Sequence, residues 1–348
     1  MSFTRFTLNN KIQSNIQACG FTEPTAIQEQ AIPSALYGED VLGLAQTGTG
    51  KTAAFVLPIL ERLLSGKRDG VRSLILSPTR ELAEQTAESI QTLGRKTGLR
   101  VATVYGGVSK AAQIKKIRSG ADIVVACPGR LLDLMGDGAI NLSGVQTLVL
   151  DEGDRMLDMG FLPDIRKILS KLPAKRQNLL FAATMPKEIR FLAEEILCDP
   201  VRVQVDHEQP LQGITQNLYP VERKSKTRML FSLLRQKPTG ATLVFTRTKH
   251  MATKLSERLA SEGMRARDLQ GNMSQNNRRR VLQQFRNGGF DILVATDVAA
   301  RGIDVTRIAH VINYDMPDTA EAYTHRIGRT GRAFCSGEAS TFVESREF

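Results

Sequence analysis

Tryptophan is absent from the 348 residues, and aromatic side chains make up only 5% of the chain. Proteins that hold single strands by stacking bases on rings need such platforms, so stacking is not expected to be the main grip on a nucleic acid. Cysteine is scarce too, with four residues at positions 19, 127, 198 and 335. None has the paired spacing of a metal site and the four histidines are equally scattered, so reduced, buried thiols and no zinc are expected. No apolar run approaches membrane-spanning length, and Met1-Ser2-Phe3-Thr4-Arg5-Phe6 lacks the apolar core of a signal peptide. A soluble, cytoplasmic protein with no membrane partner is the expectation. There is no short-period repeat and no low-complexity tract.

What the chain does have is length and positive charge. At 348 residues it exceeds one ordinary core, so two domains are expected, and a hydrophobic content of 41% supplies both. The net charge of +11 favours a polyanionic partner. Divided at residue 205, the first part carries 25 Lys and Arg against 21 Asp and Glu, and the second 22 against 15. The excess lies among structured segments rather than in a tail.

Short apolar runs alternate with helical patterns along the whole chain, which implies α/β architecture with parallel sheets flanked by helices. In the first half the runs lie near Val41–Leu44, Ser73–Ser77, Val101–Tyr105, Ile123–Ala126, Thr147–Leu150 and Leu179–Ala182. In the second they lie near Leu218–Val221, Thr242–Phe245, Ile292–Ala295 and His310–Asn313. A polar stretch with Pro210 and Gly213 separates the halves, giving domains at 1–205 and 214–348 joined by a linker at 206–213.

The first half holds a phosphate cradle. Ala45-Gln46-Thr47-Gly48-Thr49-Gly50-Lys51-Thr52 follows an apolar strand and precedes the helical run beginning Ala53-Ala54-Phe55. Gly48 and Gly50 let the backbone approach phosphates, with N–H groups at a helix N-terminus aimed at anionic oxygens. Lys51 would reach the β and γ phosphates, and the Thr52 hydroxyl would help to hold Mg²⁺. About a hundred residues on, Leu148-Val149-Leu150 ends in Asp151-Glu152. Asp151 would hold the metal shell, and Glu152 would orient the attacking water. The pattern departs from the phosphate-loop consensus at its first position, where Ala45 replaces Gly, yet strand, loop, Lys-Thr, helix and acidic strand end occur in the required order. A nucleoside triphosphate with Mg²⁺ is the ligand implied.

The second half has no phosphate loop but carries dense charge on loops. Thr296-Asp297 and Arg301-Gly302-Ile303-Asp304 follow an apolar strand, and His325-Arg326-Ile327-Gly328-Arg329-Thr330-Gly331-Arg332 carries three arginines. Arginines beside glycine can reach a γ phosphate supplied by another domain.

Together these residues resemble the DEAD-box ATP-dependent RNA helicases over almost the whole chain, which implies two tandem RecA-like domains. The segment Asp154-Arg155-Met156-Leu157-Asp158-Met159-Gly160-Phe161 is most similar to the bacterial RhlE-like branch. Gly20-Phe21 through Pro24-Thr25-Ala26-Ile27-Gln28 resembles the family's adenine-reading element, which implies that Gln28 reads the adenine edge and Phe3 or Phe21 supports the base. Pro78-Thr79-Arg80, Gly106-Gly107 and Pro128-Gly129-Arg130 match segments that grip RNA backbone in the first domain. Thr246, Gln275, Arg278 and Thr296 match those of the second. Asp304 resembles the ribose contact, Arg329 and Arg332 the arginine fingers, and His325 with Arg326 the link between the two sites. The partner implied is RNA, held through phosphate, sugar and 2′-hydroxyl rather than by sequence, with ribonucleoproteins among its targets and the chain acting as a monomer.

The chain departs from the family pattern in four places. Gly153 stands where the family's name has Ala, Ala182 where Ser is usual before Ala183-Thr184, Cys127 where Thr precedes Pro-Gly-Arg, and Gln270 where His is usual before Gly271. Gly153 is expected to loosen the backbone by roughly 0.5–1 kcal/mol. Ala182 removes a hydroxyl, a bond of typically ~1 kcal/mol, at a point that in the family ties hydrolysis to closure. Two functions follow. One is an RNA-stimulated ATPase that unwinds short duplexes. The alternative is an ATP-gated RNA clamp or scaffold whose hydrolysis is uncoupled from unwinding. A DNA translocase is a weaker third.

Overall fold

Strand formation follows the apolar runs. In the computed structural model, which describes residues 2–46, 48–66, 68–205, 213–236, 240–300, 305, 307–331 and 337–344, the first half contributes β1 (Val41–Leu44), β2 (Ser73–Leu76), β3 (Val101–Val104), β4 (Ile123–Ala126), β5 (Thr147–Leu150), β6 (Gln177–Ala182) and β7 (Val201–Gln204). Every residue of β2, β4, β5 and β6 is buried. Strands that are apolar at successive positions are buried on both faces, which suits a parallel sheet covered by helices on each side. All pairings are parallel, in the order β3-β4-β2-β5-β6-β1-β7. Side chains alternate between two cores, as the two-residue period of a strand requires. Ile75, Val125, Val149 and Phe181 enter one. Leu74, Val124, Leu148 and Leu180 enter the other.

The second half adds β8 (Ile214–Pro220), β9 (Ala241–Phe245), β10 (Ala266–Leu269), β11 (Ile292–Ala295), β12 (Ile308–Asn313) and β13 (Gly337–Val343). They form a second parallel sheet in the order β10-β11-β9-β12-β13-β8. Leu243, Leu293 and Val311 face one core, and Val244, Val294 and Ile312 the other. The chain divides into two compact units, Met1–His207 and Glu208–Phe348. No helix among the described residues is long and apolar enough to cross a membrane.

The structure corrects the sequence reading at four strands. β7, β10 and β13 lie outside the expected runs, and β8 begins at Ile214 rather than near Leu218. β7 and β10 are edge strands with exposed Arg202, Gln204 and Arg267, so their apolar signal is weak. β13 (Gly-Glu-Ala-Ser-Thr-Phe-Val) is small and polar in composition yet almost wholly buried, because it is flanked by β12 and β8. The helix after the phosphate loop also starts earlier than Ala53, at Lys51.

Strand order positions the site. In open parallel sheets ligands bind beyond the carboxyl ends of the strands, where crossovers leave a crevice. Here β5, β6 and β1 are neighbours, as are β3, β4 and β2, so their terminal loops fall into two adjoining groups.

Candidate nucleotide and nucleic-acid site

The loop between β1 and the helix Lys51–Leu64 turns on two glycines in the left-handed region, Gly48 (φ 87°) and Gly50 (φ 95°). Only glycine adopts that conformation without strain, which is why they punctuate the loop. Thr49 Oγ1 donates to the Gln46 carbonyl over 2.8 Å. The buried Lys51 ammonium donates to the carbonyl of Ala45, whose own N–H bonds Ala182 O at 3.0 Å. The loop is thereby folded over its lysine and fastened to the end of β6. Thr52 follows in the first helical turn, half-buried. Thr47 lies outside the described residues.

The adenine-reading element is joined to this loop through one side chain. Gln28 Oε1 accepts the Thr25 N–H at 3.0 Å, closing a capping box on the helix Ala26–Tyr37, and its Nε2 donates to Gly50 O at 3.1 Å. A Cβ at Gly50 would overlap Gln28 Nε2. A glutamine amide has two donors and two acceptor positions, so each end keeps capacity for one more bond. Phe3 is buried, and Phe21, 40% exposed, stacks on it with ring centroids 6.1 Å apart. Of the two rings named from sequence, only Phe21 offers a face to solvent.

Asp151 and Glu152 end β5 one strand from β6. Asp151 is buried, its N–H pairs with Leu76 O at 3.0 Å, and its Oδ2 has no hydrogen-bond partner among the described residues. Burial raises its carboxyl to about 7, the negative charge of Glu152 adds to the rise, and Lys51 opposes it. A buried carboxyl oxygen with no hydrogen-bond partner among the described residues fits a site completed by a cation, and the acidic and hydroxyl oxygens of Asp151 and Thr52 are the donor set Mg²⁺ takes. Glu152 adopts the left-handed conformation (φ 52°) at the start of the helix Gly153–Asp158 and forms a buried ion pair with Arg155. Sequence reading missed Arg155, although its place three residues on from Glu152 at a helix start is the spacing of facing side chains.

Asp154 decides what the missing hydroxyl at Ala182 means. Its Oδ2 accepts three donors at the end of β6: Ala183 N at 2.9 Å, Thr184 N at 2.8 Å and Thr184 Oγ1 at 3.1 Å. Ala182 itself is fully buried. Asp154 therefore has three donors at the end of β6 without a hydroxyl at position 182. At Gly153 a Cβ would stand 2.8 Å from Leu180 Cδ1, so packing bears on this position as well as backbone preference.

The second group of loops brings together the three segments expected to grip nucleic acid. Buried Pro78 precedes Thr79, which caps the helix Arg80–Leu93 by accepting Leu82 N at 3.3 Å. The Arg80 guanidinium lies against the turn after β3, so a Cβ on Gly107 (φ 80°) would overlap Arg80 Nη1, and one on Gly106 would be 3.4 Å from Nη2. Pro128 opens the helix Pro128–Gly136, leaving Gly129 exposed, with nothing within 4 Å of the place a Cβ would take. Arg130 Nη1 donates to Val108 O at 3.2 Å and Gln113 Oε1 at 3.4 Å, while Nε faces Asp133 Oδ2 at 3.4 Å. Gln113 also donates to Tyr105 O at 2.8 Å, and the Tyr105 hydroxyl bonds Glu84. Sequence reading missed Gln113, Tyr105 and Glu84. Cys127, at the cap before Pro128, is buried, and desolvation pushes its thiol up to about 12. Cys19 is half-buried, and Cys198 is exposed, against the expectation that all the thiols are buried.

In the second unit the expected residues also gather at strand ends. Thr246, wholly buried after β9, donates its hydroxyl to Thr248 O at 3.3 Å. Gln275 begins the helix Gln275–Arg286 and Arg278 follows a turn later, donating to Gln270 O at 3.4 Å and Ala299 O at 3.2 Å. Half-buried Thr296 accepts Ala300 N at 2.8 Å through its carbonyl. Half-buried His325 and buried Arg326 lie on the helix Ala320–Ile327, followed by buried Arg329. Arg326, expected with His325 to link the two sites, is bonded within its own unit. Its fork grips both Asp297 oxygens at 2.6 Å, Asn313 Oδ1 at 3.2 Å and Asp315 O at 2.7 Å, with the guanidinium 5.0 Å from the Phe245 ring. Asp304 and Arg332 lie outside the described residues.

Comparison with known proteins bears on this geometry. Residues 25–192 match the DEAD/DEAH box helicase model and residues 225–334 the helicase conserved C-terminal domain. The chain is 44% identical over 347 residues to the DEAD-box ATP-dependent RNA helicase CshA of Geobacillus kaustophilus, covering 99% of this chain and 74% of that protein. The chain belongs to the DEAD-box ATP-dependent RNA helicase family. It is 45% identical over its full length to CshA of Streptococcus pneumoniae serotype 4, of which it spans 66%. Among solved structures it resembles S. cerevisiae Dbp5 bound to RNA and ADP BeF3 (TM-score 0.90, 33% identity, 99% of this chain and 90% of that one). It also resembles a DEAD box protein from Methanococcus jannaschii (TM-score 0.59, 39% identity, 100% and 94%).

Proposed function

We propose that this chain is an ATP-dependent RNA helicase in which RNA-stimulated ATP hydrolysis drives local separation of short duplexes or remodelling of ribonucleoproteins. The observation that carries this reading is the shared edge of the first sheet. There the phosphate loop and the Asp151–Glu152 pair lie beside three interlocked polar segments, so a nucleotide and a polyanion have adjoining places. The S. cerevisiae relative crystallised with RNA and a nucleotide complex supports the same pairing of ligands.

Each residue then has a task. Lys51 and the N–H groups of Gln46 through Thr52 hold the phosphates, Thr52 and Asp151 hold Mg²⁺, and Glu152 orients the attacking water. Mg²⁺ when bound neutralises phosphate charge and returns Asp151 to its carboxylate form. Gln28 uses its remaining donor and acceptor on the adenine edge, with Phe21 supporting the base over Phe3. The second domain supplies Asp304 to the ribose, Arg329 and Arg332 to the γ phosphate, and His325 to the link between sites. Pro78, Thr79, Arg80, Gly106, Gly107, Pro128, Gly129 and Arg130 meet one stretch of RNA backbone, and Thr246, Gln275, Arg278 and Thr296 the next. The domains run 1–205 and 214–348 about a linker at 206–213, and the setting is the cytoplasm. Placement in the RhlE-like branch rests on residues 154–161 alone.

Two measurements test the reading. Glu152→Gln should bind ATP normally and hardly hydrolyse it, whereas Lys51→Ala should lose nucleotide affinity. RNA should stimulate turnover well above single-stranded DNA of the same sequence, and equal stimulation would refute the 2′-hydroxyl part.

A further inference from the structure

The loops at the ends of the neighbouring strands β3 and β4 can act as one surface only if something fixes their spacing, because each leaves the sheet separately. Glycine at 106 and 107 removes side-chain bulk but holds nothing in place. The fixing bonds come instead from Gln113, a residue that carries no charge and does not reach the open edge. It lies on the helix Lys110–Arg118 and is buried, 5% exposed. Its Nε2 donates to Tyr105 O, the carbonyl immediately before Gly106. Its Oε1 accepts Arg130 Nη1, which in turn bonds Val108 O just past Gly107. The amide thus holds one end of the Gly106–Gly107 turn directly, and through Arg130, which it also braces, reaches the other end at Val108.

We infer that Gln113 is a positioning residue for RNA, preorganising the turn at 106–107 and the Arg130 guanidinium as a single phosphate-binding unit. The chemistry is specific to an amide. A donor is needed for the Tyr105 carbonyl and an acceptor for the arginine, and of side chains this length only glutamine supplies both ends uncharged. Fixing the pair in advance removes the ordering cost from binding, so the benefit falls on affinity rather than on chemistry. Arg130 Nη2 has no hydrogen bond among the described residues, so the braced fork keeps an end for a phosphate oxygen. The inference rests on the proposed RNA reading of this edge.

The test uses the full chain with Gln113→Met, which keeps the volume and removes both bonds, beside Gln113→Glu, which keeps the acceptor and removes the donor. RNA-stimulated ATPase is measured against RNA concentration, with melting temperature as a control for folding. Gln113→Met should raise the KM for RNA about tenfold while kcat at saturating RNA falls less than about twofold, and Gln113→Glu should fall between Met and wild type. An unchanged KM in Gln113→Met, or a loss of kcat at constant KM, overturns the inference. If Met does not fold, the Glu variant decides: a KM equal to wild type overturns it and an intermediate one sustains it. Wild-type turnover that RNA fails to stimulate would overturn the RNA reading itself, a result distinct from either.

Discussion

Asp154 shows how one carboxylate oxygen can absorb a change elsewhere in the chain. With two amides and the Thr184 hydroxyl already on Oδ2, a new hydroxyl introduced by Ala182→Ser finds that acceptor filled. Ala182→Ser should therefore leave the number of short duplexes separated per ATP close to wild type. Thr184→Val, which takes away a hydroxyl bond to a charged acceptor worth about 1.5–3 kcal/mol, should lower that ratio several-fold. Comparing duplex release with phosphate release in the two variants checks both. Cys127 supplies a pH dependence at the same scale. Its folded thiol titrates near 12 against an ordinary 9.0, so the native state holds its proton longer than the unfolded chain. The contribution is present in full below about 9 and is lost as pH rises from there toward 12. Denaturant titrations should show stability falling with pH across that window in the wild type and less steeply in Cys127→Ala, while thiol reagents at about pH 8 label exposed Cys198 first.

At the scale of the element, the turn between β3 and the helix Lys110–Arg118 is shaped by what Gly107 lacks. Its φ of 80° is strained for any other residue, and Arg80 occupies the space a Cβ would take. Gly107→Ala should cost about 1–2 kcal/mol of stability from the backbone alone and also displace the Arg80 guanidinium. Loss of RNA affinity well beyond the loss in melting temperature is the expected sign that both happened. Gly153 is the contrasting case. It begins a helix with ordinary geometry, and its replacement by Ala gains about 0.5–1 kcal/mol of backbone preference. Displacing the buried Leu180 Cδ1 opposes that gain. The helix start after β5 is packed for glycine.

For the whole molecule, a net charge of +11 and contacts to phosphate rather than to bases make salt the sharpest probe. RNA affinity should fall linearly with log salt, and removing one phosphate contact with Arg130→Ala should reduce the slope by about 0.7, uniformly across RNA sequences. The same two-domain division bears on hydrolysis. The unit containing Arg329 has no phosphate loop, so Arg329→Ala should lower turnover by a factor on the order of 10³ with little change in ATP affinity, measured by single-turnover kinetics and nucleotide titration.

The chemistry of the site was legible in the linear order of residues. Glycines that must turn, a lysine at a helix start and two carboxylates ending an apolar strand are local requirements, and the central strands announced themselves as continuous apolar runs. The edge strands β7 and β10 and the polar β13 did not, because their burial depends on neighbours far away in the chain rather than on their own composition. Packing also decided which of two phenylalanines faces solvent, that the Thr184 hydroxyl bonds Asp154, and that Arg326 bonds Asp297, Asn313 and Asp315 within its own unit. Gln113 had no sequence signal of its own: an uncharged side chain acquires its role only when the loops after two adjacent strands, β3 and β4, converge on it, and that convergence is a property of strand order.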